Sequence, residues 1–213
     1  MKLVYYSVWI LIRFVSKLFF RIRVSGKEHF PRQGGFIVAT NHISYFDPPL
    51  VGSWSPRELY YLAKAELFRL GPIGWLLRGV NALPVRRATI DRAAIEVCVE
   101  TIRSGRGLLV FPEGTRSKSA HFLEPKAGIG MIASQAGCLI IPGYIKGSNR
   151  LGACFLGRED FSITFGEPLP AKWVSSIPAD KDGYREIATT VMERIVALRD
   201  QVVSVKSKPP KAD

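Results

Sequence analysis

Two short apolar runs constrain this chain more than anything else in it: Phe36-Ile37-Val38-Ala39-Thr40 and Gly107-Leu108-Leu109-Val110-Phe111. A brief continuous apolar stretch bounded by turn residues is the pattern of a buried strand. Each run delivers a polar segment at its C-terminal end. The first is followed by Asn41-His42-Ile43-Ser44-Tyr45-Phe46-Asp47, the second by Pro112-Glu113-Gly114-Thr115-Arg116-Ser117. Buried strands that end in polar motifs are typical of α/β folds, which place ligands at strand ends.

The remaining pattern agrees with that class. Pro48-Pro49 opens a helix, 88–103 has helical periodicity ending at Ser104-Gly105, and 128–136 reads as helix. Cys138 to Ile141 reads as strand before Pro142-Gly143, and Phe161 to Phe165 as another. Ile187, Val191, Ile195 and Leu198 keep one face of an amphipathic helix over 184–203. The expected architecture is α/β, a single domain over 24–205 with a mixed sheet flanked by helices. An N-terminal helix over 1–23 precedes it, and a Lys/Pro-rich tail over 206–213 is expected to be disordered. At 213 residues the chain has the length of one ordinary domain.

Thirty Lys+Arg against eighteen Asp+Glu leave a formal charge of +12. That surplus favours an anionic partner, nucleic acid or membrane headgroups. The apolar N-terminus decides for membrane, and the basic residues form no nucleic-acid motif. Only Leu3 to Ile12 is free of charge there, short of the ~20 residues of a spanning helix. On a helical wheel Lys2, Arg13 and Lys17 cluster with Tyr6, opposite Val4, Leu11, Val15, Leu18 and Phe19. This predicts a helix lying in the interface, cations at phosphate level and aliphatics in the acyl region. A signal peptide fits less well, because charges interrupt the apolar stretch and no small-residue cleavage site follows. Cys98, Cys138 and Cys154 stand apart with no CxxC spacing and read as buried thiols; with three histidines a multi-histidine metal site is hard to assemble.

His42 and Asp47 would point about 140° apart on a regular helix, so they meet only if the chain turns between them. Pro48 supports the turn by pushing Asp47 out of the helical region. Asp47 would then cap the following helix, with one oxygen left for the imidazole. A carboxylate on Nδ1–H fixes the tautomer and leaves Nε2 to accept a proton. No GxSxG-type elbow presents a covalent nucleophile. In the second motif Gly114 supplies a positive φ, Thr115 a hydroxyl and Arg116 a fork for phosphate. Glu113 reads as an orienter of Arg116 or of a substrate hydroxyl. Arg86-Arg87, Lys118 and Lys126 are further cations close in sequence.

Asn41-His42-x4-Asp47, Pro84-Val85-Arg86-Arg87, Phe111 to Arg116 and Ile141-Pro142, in that order, resemble the four blocks of the glycerolipid acyltransferases. The bacterial lysophosphatidic acid acyltransferases are the nearest type. Val24-x-Gly26, Pro31, Lys126-x-Gly128 and Phe165-Gly166-Glu167-Pro168 extend the likeness to residues 24–170. Asn81 departs from it, standing where the second block usually begins with glycine.

The resemblance implies that His42 is the general base and Asp47 its partner. Glu113, Gly114, Thr115 and Arg116 would bind the phosphate-bearing acceptor, with Arg87 and Lys126 as further contacts. It implies transfer of a fatty acyl group from acyl-carrier protein or coenzyme A thioester to the sn-2 hydroxyl of lysophosphatidic acid, with no metal or other cofactor. The expected place is the cytoplasmic face of the inner membrane. Backbone N–H groups near Gly114 or Pro142-Gly143 are candidate oxyanion donors, and Leu67 to Leu77 a candidate wall of the acyl channel. Rival readings are another lysophospholipid or a lyso-aminolipid as acceptor, a hydrolase, and a non-catalytic basic membrane adaptor.

Overall fold

A computed structural model describes residues 2–85, 92–117 and 121–207. Strands β1 (Arg23–Ser25), β2 (Phe36–Thr40), β3 (Leu59–Lys64), β4 (Ala82–Val85), β5 (Gly107–Val110), β6 (Leu139–Lys146) and β7 (Ser162–Phe165) form one sheet. Their order is β1-β7-β6-β2-β5-β3-β4. Every pairing is parallel except β6 with β7, so the sheet is mixed as expected.

The helices are α1 (Lys2–Phe20), α2 (Asp47–Trp54), α3 (Gly71–Gly79), α4 (Arg92–Arg103), α5 (Gly128–Ala136), α6 (Leu151–Phe155), α7 (Ala171–Ser176) and α8 (Lys181–Ser207). Ile37 and Ala39 of β2 face a core built with Ile95, Ile102, Ile129 and Ile187, from α4, α5 and α8. Phe36 and Val38 face the other way, onto Leu50, Val51, Phe161 and Phe165. Because β2 and β5 are covered on both faces, they lack polar alternation. Burying two apolar faces at roughly 25 cal/mol per Å² is the main term holding the layers together.

β6 runs on through Pro142 to Lys146, beyond the expected end at Ile141. The Pro142 carbonyl still receives the Gly166 N–H at 2.7 Å. Gly143 is required there: a Cβ would lie 2.9 Å from Thr40 Cγ2. Asn81 has φ 63°, the left-handed region that asparagine tolerates best after glycine, so its place in a glycine position follows from the backbone. Gly26 (φ 78°) packs so closely on the Phe165 carbonyl that no side chain fits, and the His29 Nδ1–H donates to that same carbonyl at 3.1 Å. α8 continues through Ser207, past the expected start of the tail at 206; residues 208–213 lie outside the described residues.

α1 departs from the wheel reading. Arg13 turns inward: its Nε–H donates to Ser53 O at 2.6 Å and its guanidinium lies 3.4 Å over the Trp9 ring. Buried Ser16 receives the Trp54 Nε1–H at 3.0 Å. Arg13, a member of the polar stripe, and its neighbour Ser16 are therefore spent on the seam with α2, while Lys2, Tyr6 and Lys17 stay exposed. The outer face, Leu3, Ile10, Leu11, Phe14 and Leu18, is exposed and apolar. Leu67, Leu70, Ile73, Trp75 and Leu76 are exposed as well, while Phe68 and Leu77 of the same stretch pack on the core.

Candidate active site

The register of the two central strands builds the site. Phe36 pairs with Gly107 and Ala39 with Val110, so β2 and β5 end side by side and release their polar motifs together. β6 flanks β2 on the other side, with Thr40 opposite Gly143. Beyond Thr40 the Asn41 side chain takes over the ladder. Its Nδ2 donates to Ile145 O at 3.0 Å and its Oδ1 accepts the Ile145 N–H at 2.8 Å.

His42 and Asp47 do meet. The ring Nδ1 and Asp47 Oδ2 are 2.8 Å apart. A carboxylate only accepts, so Nδ1 carries the hydrogen and Nε2 keeps its lone pair. Nε2 has no hydrogen-bond partner among the described residues. Phe111 supports the ring from below, stacked at 4.0 Å between centroids and 16° between planes.

Asp47 does not cap α2. It is the helix's first residue, with Phe46 at the cap position, and its carboxylate folds back over the preceding turn. The reason is local: Pro48 and Pro49 have no N–H to cap, and the Leu50 N–H already donates to Phe46 O at 3.0 Å. Oδ2 instead accepts the Ile43 and Ser44 N–H groups, each at 2.7 Å. Oδ1 accepts the Ser148 hydroxyl at 2.5 Å. Asp47 is fully buried and both its oxygens are satisfied.

Glu113 does not orient Arg116. It is 1% exposed, and its Oε1 accepts the His42 N–H at 3.0 Å while its Oε2 accepts the Leu123 N–H at 2.9 Å. It joins the histidine turn to the segment running toward α5. The Ser117 N–H returns to His42 O at 2.8 Å, so the two motifs are stitched backbone to backbone.

Gly114 has the expected positive φ, 67°, and its N–H closes a turn onto Phe111 O at 2.9 Å. That N–H is therefore spent on the turn, and Gly143 lies inside β6. The Lys126 side chain runs beside Gly114, its Cδ 3.0 Å from where a Cβ would stand. Thr115 and Lys126 are exposed on this rim. The Arg116 guanidinium lies 3.4 Å over the ring of Tyr45, a residue of the histidine motif itself. Arg87 and Lys118 lie outside the described residues.

The structure thus gathers His42, Asp47, Glu113, Gly114, Arg116 and Lys126 at one sheet end. Asn41, Phe111, Ser148 and Tyr45 belong with them, and the sequence reading gave none of these a role. Asn41 and Tyr45 were signalled only by lying inside a motif, and Ser148 by nothing local.

The acyltransferase family model matches residues 21–146, which hold all of these elements except Ser148. The chain belongs to the acyltransferase family. It is 26% identical over 182 residues to the 1-acyl-sn-glycerol-3-phosphate acyltransferase of Bacillus subtilis, covering 85% of this chain and 89% of that protein. It is 34% identical over 166 residues to the lyso-ornithine lipid O-acyltransferase of Pseudomonas aeruginosa, covering 76% and 62%. The fold matches the crystal structure of the 1-acyl-sn-glycerophosphate (LPA) acyltransferase PlsC from Thermotoga maritima. There the TM-score is 0.72 at 26% identity, over 97% of this chain and 81% of that one. The α/β expectation and the acyltransferase assignment both stand.

Proposed function

We propose that this acyltransferase moves a fatty acyl group from acyl-carrier protein or coenzyme A thioester to the sn-2 hydroxyl of lysophosphatidic acid, giving phosphatidic acid. One observation carries the reading: the proton-accepting imidazole and the glycine–arginine rim share one sheet end and are joined by hydrogen bonds. A single lysolipid can therefore present its hydroxyl to one and its phosphate to the other.

His42 Nε2 takes the hydroxyl proton as the oxygen attacks the thioester carbonyl. The tetrahedral carbon then expels sulfur, and the imidazolium returns the proton to the departing thiolate. Asp47 holds the ring in the required tautomer throughout. No hydroxyl or thiol among the described residues hydrogen-bonds Nε2, which favours direct transfer over an acyl-enzyme. Arg116 and Lys126, with the Thr115 hydroxyl, would receive the phosphate, where a guanidinium fork binds two oxygens at once.

The apolar outer face of α1 supports a place at a membrane surface, which we propose is the cytoplasmic face of the inner membrane. α1 is long and apolar enough to cross a bilayer, but it lies packed on α2 through Arg13 and Ser16, which supports an interfacial position. Leu11→Glu with Leu18→Glu should abolish binding to phospholipid vesicles; undiminished binding would move the contact elsewhere.

The test is acyl transfer by the purified protein, offering lysophosphatidic acid and lyso-ornithine lipid with each thioester donor. Lysophosphatidic acid should give the highest kcat/KM. A preference for lyso-ornithine lipid would replace this reading with the second one, which the identity to the Pseudomonas enzyme favours.

A further inference from the structure

We propose that Ser148 is a positioning residue of the catalytic pair, holding the Asp47 carboxylate in the one rotation that serves His42. The inference rests on the general-base reading above. Nothing in the histidine motif points to Ser148, which lies 101 residues beyond Asp47.

The geometry is closed on every side. Asp47 is fully buried, so each carboxylate oxygen must find its donors within the protein. Oδ2 has three: His42 Nδ1 and the N–H groups of Ile43 and Ser44. Oδ1 has Ser148 Oγ alone among the described residues, at 2.5 Å, the short end of the range for a hydroxyl on a carboxylate. Ser148 is itself 1% exposed.

The serine is as firmly placed as the aspartate. It directly follows β6 and Gly147, whose φ of 87° turns the chain. A side chain at Gly147 would come within 2.5 Å of Asp160 O and 2.9 Å of Cys154 Sγ, so the turn admits only glycine. The Arg150 N–H closes it onto Gly147 O at 3.0 Å. Three residues before Ser148, the Asn41 amide grips the Ile145 backbone. The end of β6 therefore ties the histidine turn down at two points, one before His42 and one at Asp47.

This lash has a chemical consequence. Rotation of the carboxylate about Cβ–Cγ would carry Oδ2 off the imidazole and loosen the tautomer on which proton acceptance depends. Ser148 resists that rotation from the far oxygen without touching the substrate. Its loss should therefore appear in turnover rather than in acceptor binding.

The experiment compares wild type, Ser148→Ala, Ser148→Thr and His42→Ala in the same acyl-transfer assay, with thermal unfolding measured on each. Wild-type turnover abolished by His42→Ala secures the underlying reading, so a failure there is recognised separately. Ser148→Ala should then lower kcat about tenfold with the acceptor KM within twofold of wild type, as expected for lost orientation rather than lost binding. Ser148→Thr, which keeps the hydroxyl, should recover most of that loss. The proposal is overturned if Ser148→Ala turns over like wild type, or if KM rises while kcat holds. It is also overturned if threonine restores nothing, or if the loss follows a collapsed melting transition.

Discussion

The floor and the rim of the site are built on opposite plans. On the floor, His42, Asp47 and Glu113 are all under 10% exposed, and the oxygens of both carboxylates are committed to named donors. On the rim, Gly114, Thr115 and Lys126 face solvent, and Arg116 rests on the exposed ring of Tyr45. Proton transfer needs atoms fixed to fractions of an ångström, which fully satisfied buried groups provide. Gripping a headgroup that enters and leaves from a membrane surface needs charge within reach of water. The floor should therefore govern kcat and the rim KM.

The largest effect tests the floor directly. His42→Ala should reduce kcat by about a thousandfold or more, the scale of a lost general base. Folding should survive, because the backbone bonds of His42 to Glu113 and Ser117 remain. Turnover within tenfold of wild type would remove His42 as the base and dissolve the contrast.

Glu113 sharpens it, because the sequence reading placed this residue on the rim. Glu113→Ala leaves the N–H groups of His42 and Leu123 without their acceptor, at about 1–3 kcal/mol each if they stay buried. Both the melting temperature and kcat should fall, with acceptor KM little changed. A selective rise in KM at unchanged stability would return Glu113 to the substrate.

Rim effects come next. Arg116→Ala should raise KM for lysophosphatidic acid about tenfold, equal to about 1.4 kcal/mol, with kcat nearly intact. Tyr45→Ala removes only the shelf beneath Arg116, where an exposed cation–π contact is worth about 0.5–1 kcal/mol. It should raise the same KM by about two- to fivefold and do nothing further in an Arg116→Ala background. Additive effects would separate Tyr45 from Arg116.

These distinctions mark how far local sequence reached. The His42–Asp47 pairing and the Gly114 turn were legible, since each is decided within a few residues by proline and glycine chemistry. The two central strands were legible because strands buried on both faces are continuously apolar. β1, β3 and β4 were not: Arg23-Val24-Ser25 has no pattern of its own, and Tyr60 and Tyr61 break the apolar run of β3. Arg13 was misplaced because a wheel separates charged from apolar faces without saying which faces protein. Trp54 and the Ser53 carbonyl, far along the chain, draw Arg13 inward. Asn41, Glu113 and Ser148 take partners 71 to 104 residues away, where only the register of the sheet decides who meets whom.

The smallest effect separates burial from chemistry. Cys98 and Cys138 are as hidden as the floor, and burial pushes both thiols up to about 12, against a small opposing backbone hydrogen bond at Cys138. Cys154 is shifted upward too, first by burial and then by the nearby Glu159 and Asp160 charges. All three should stay protonated and inert, so a thiol-alkylating reagent at pH 8 should leave the native protein unlabelled and fully active. The same reagent should label three sites after denaturation. Above about pH 9 an unfolded thiol releases its proton while Cys98 and Cys138 keep theirs, so the unfolded state binds fewer protons and stability falls as pH rises toward about 12. Rapid native labelling with loss of activity would show that a cysteine belongs to the working floor, and burial there would no longer distinguish core from site.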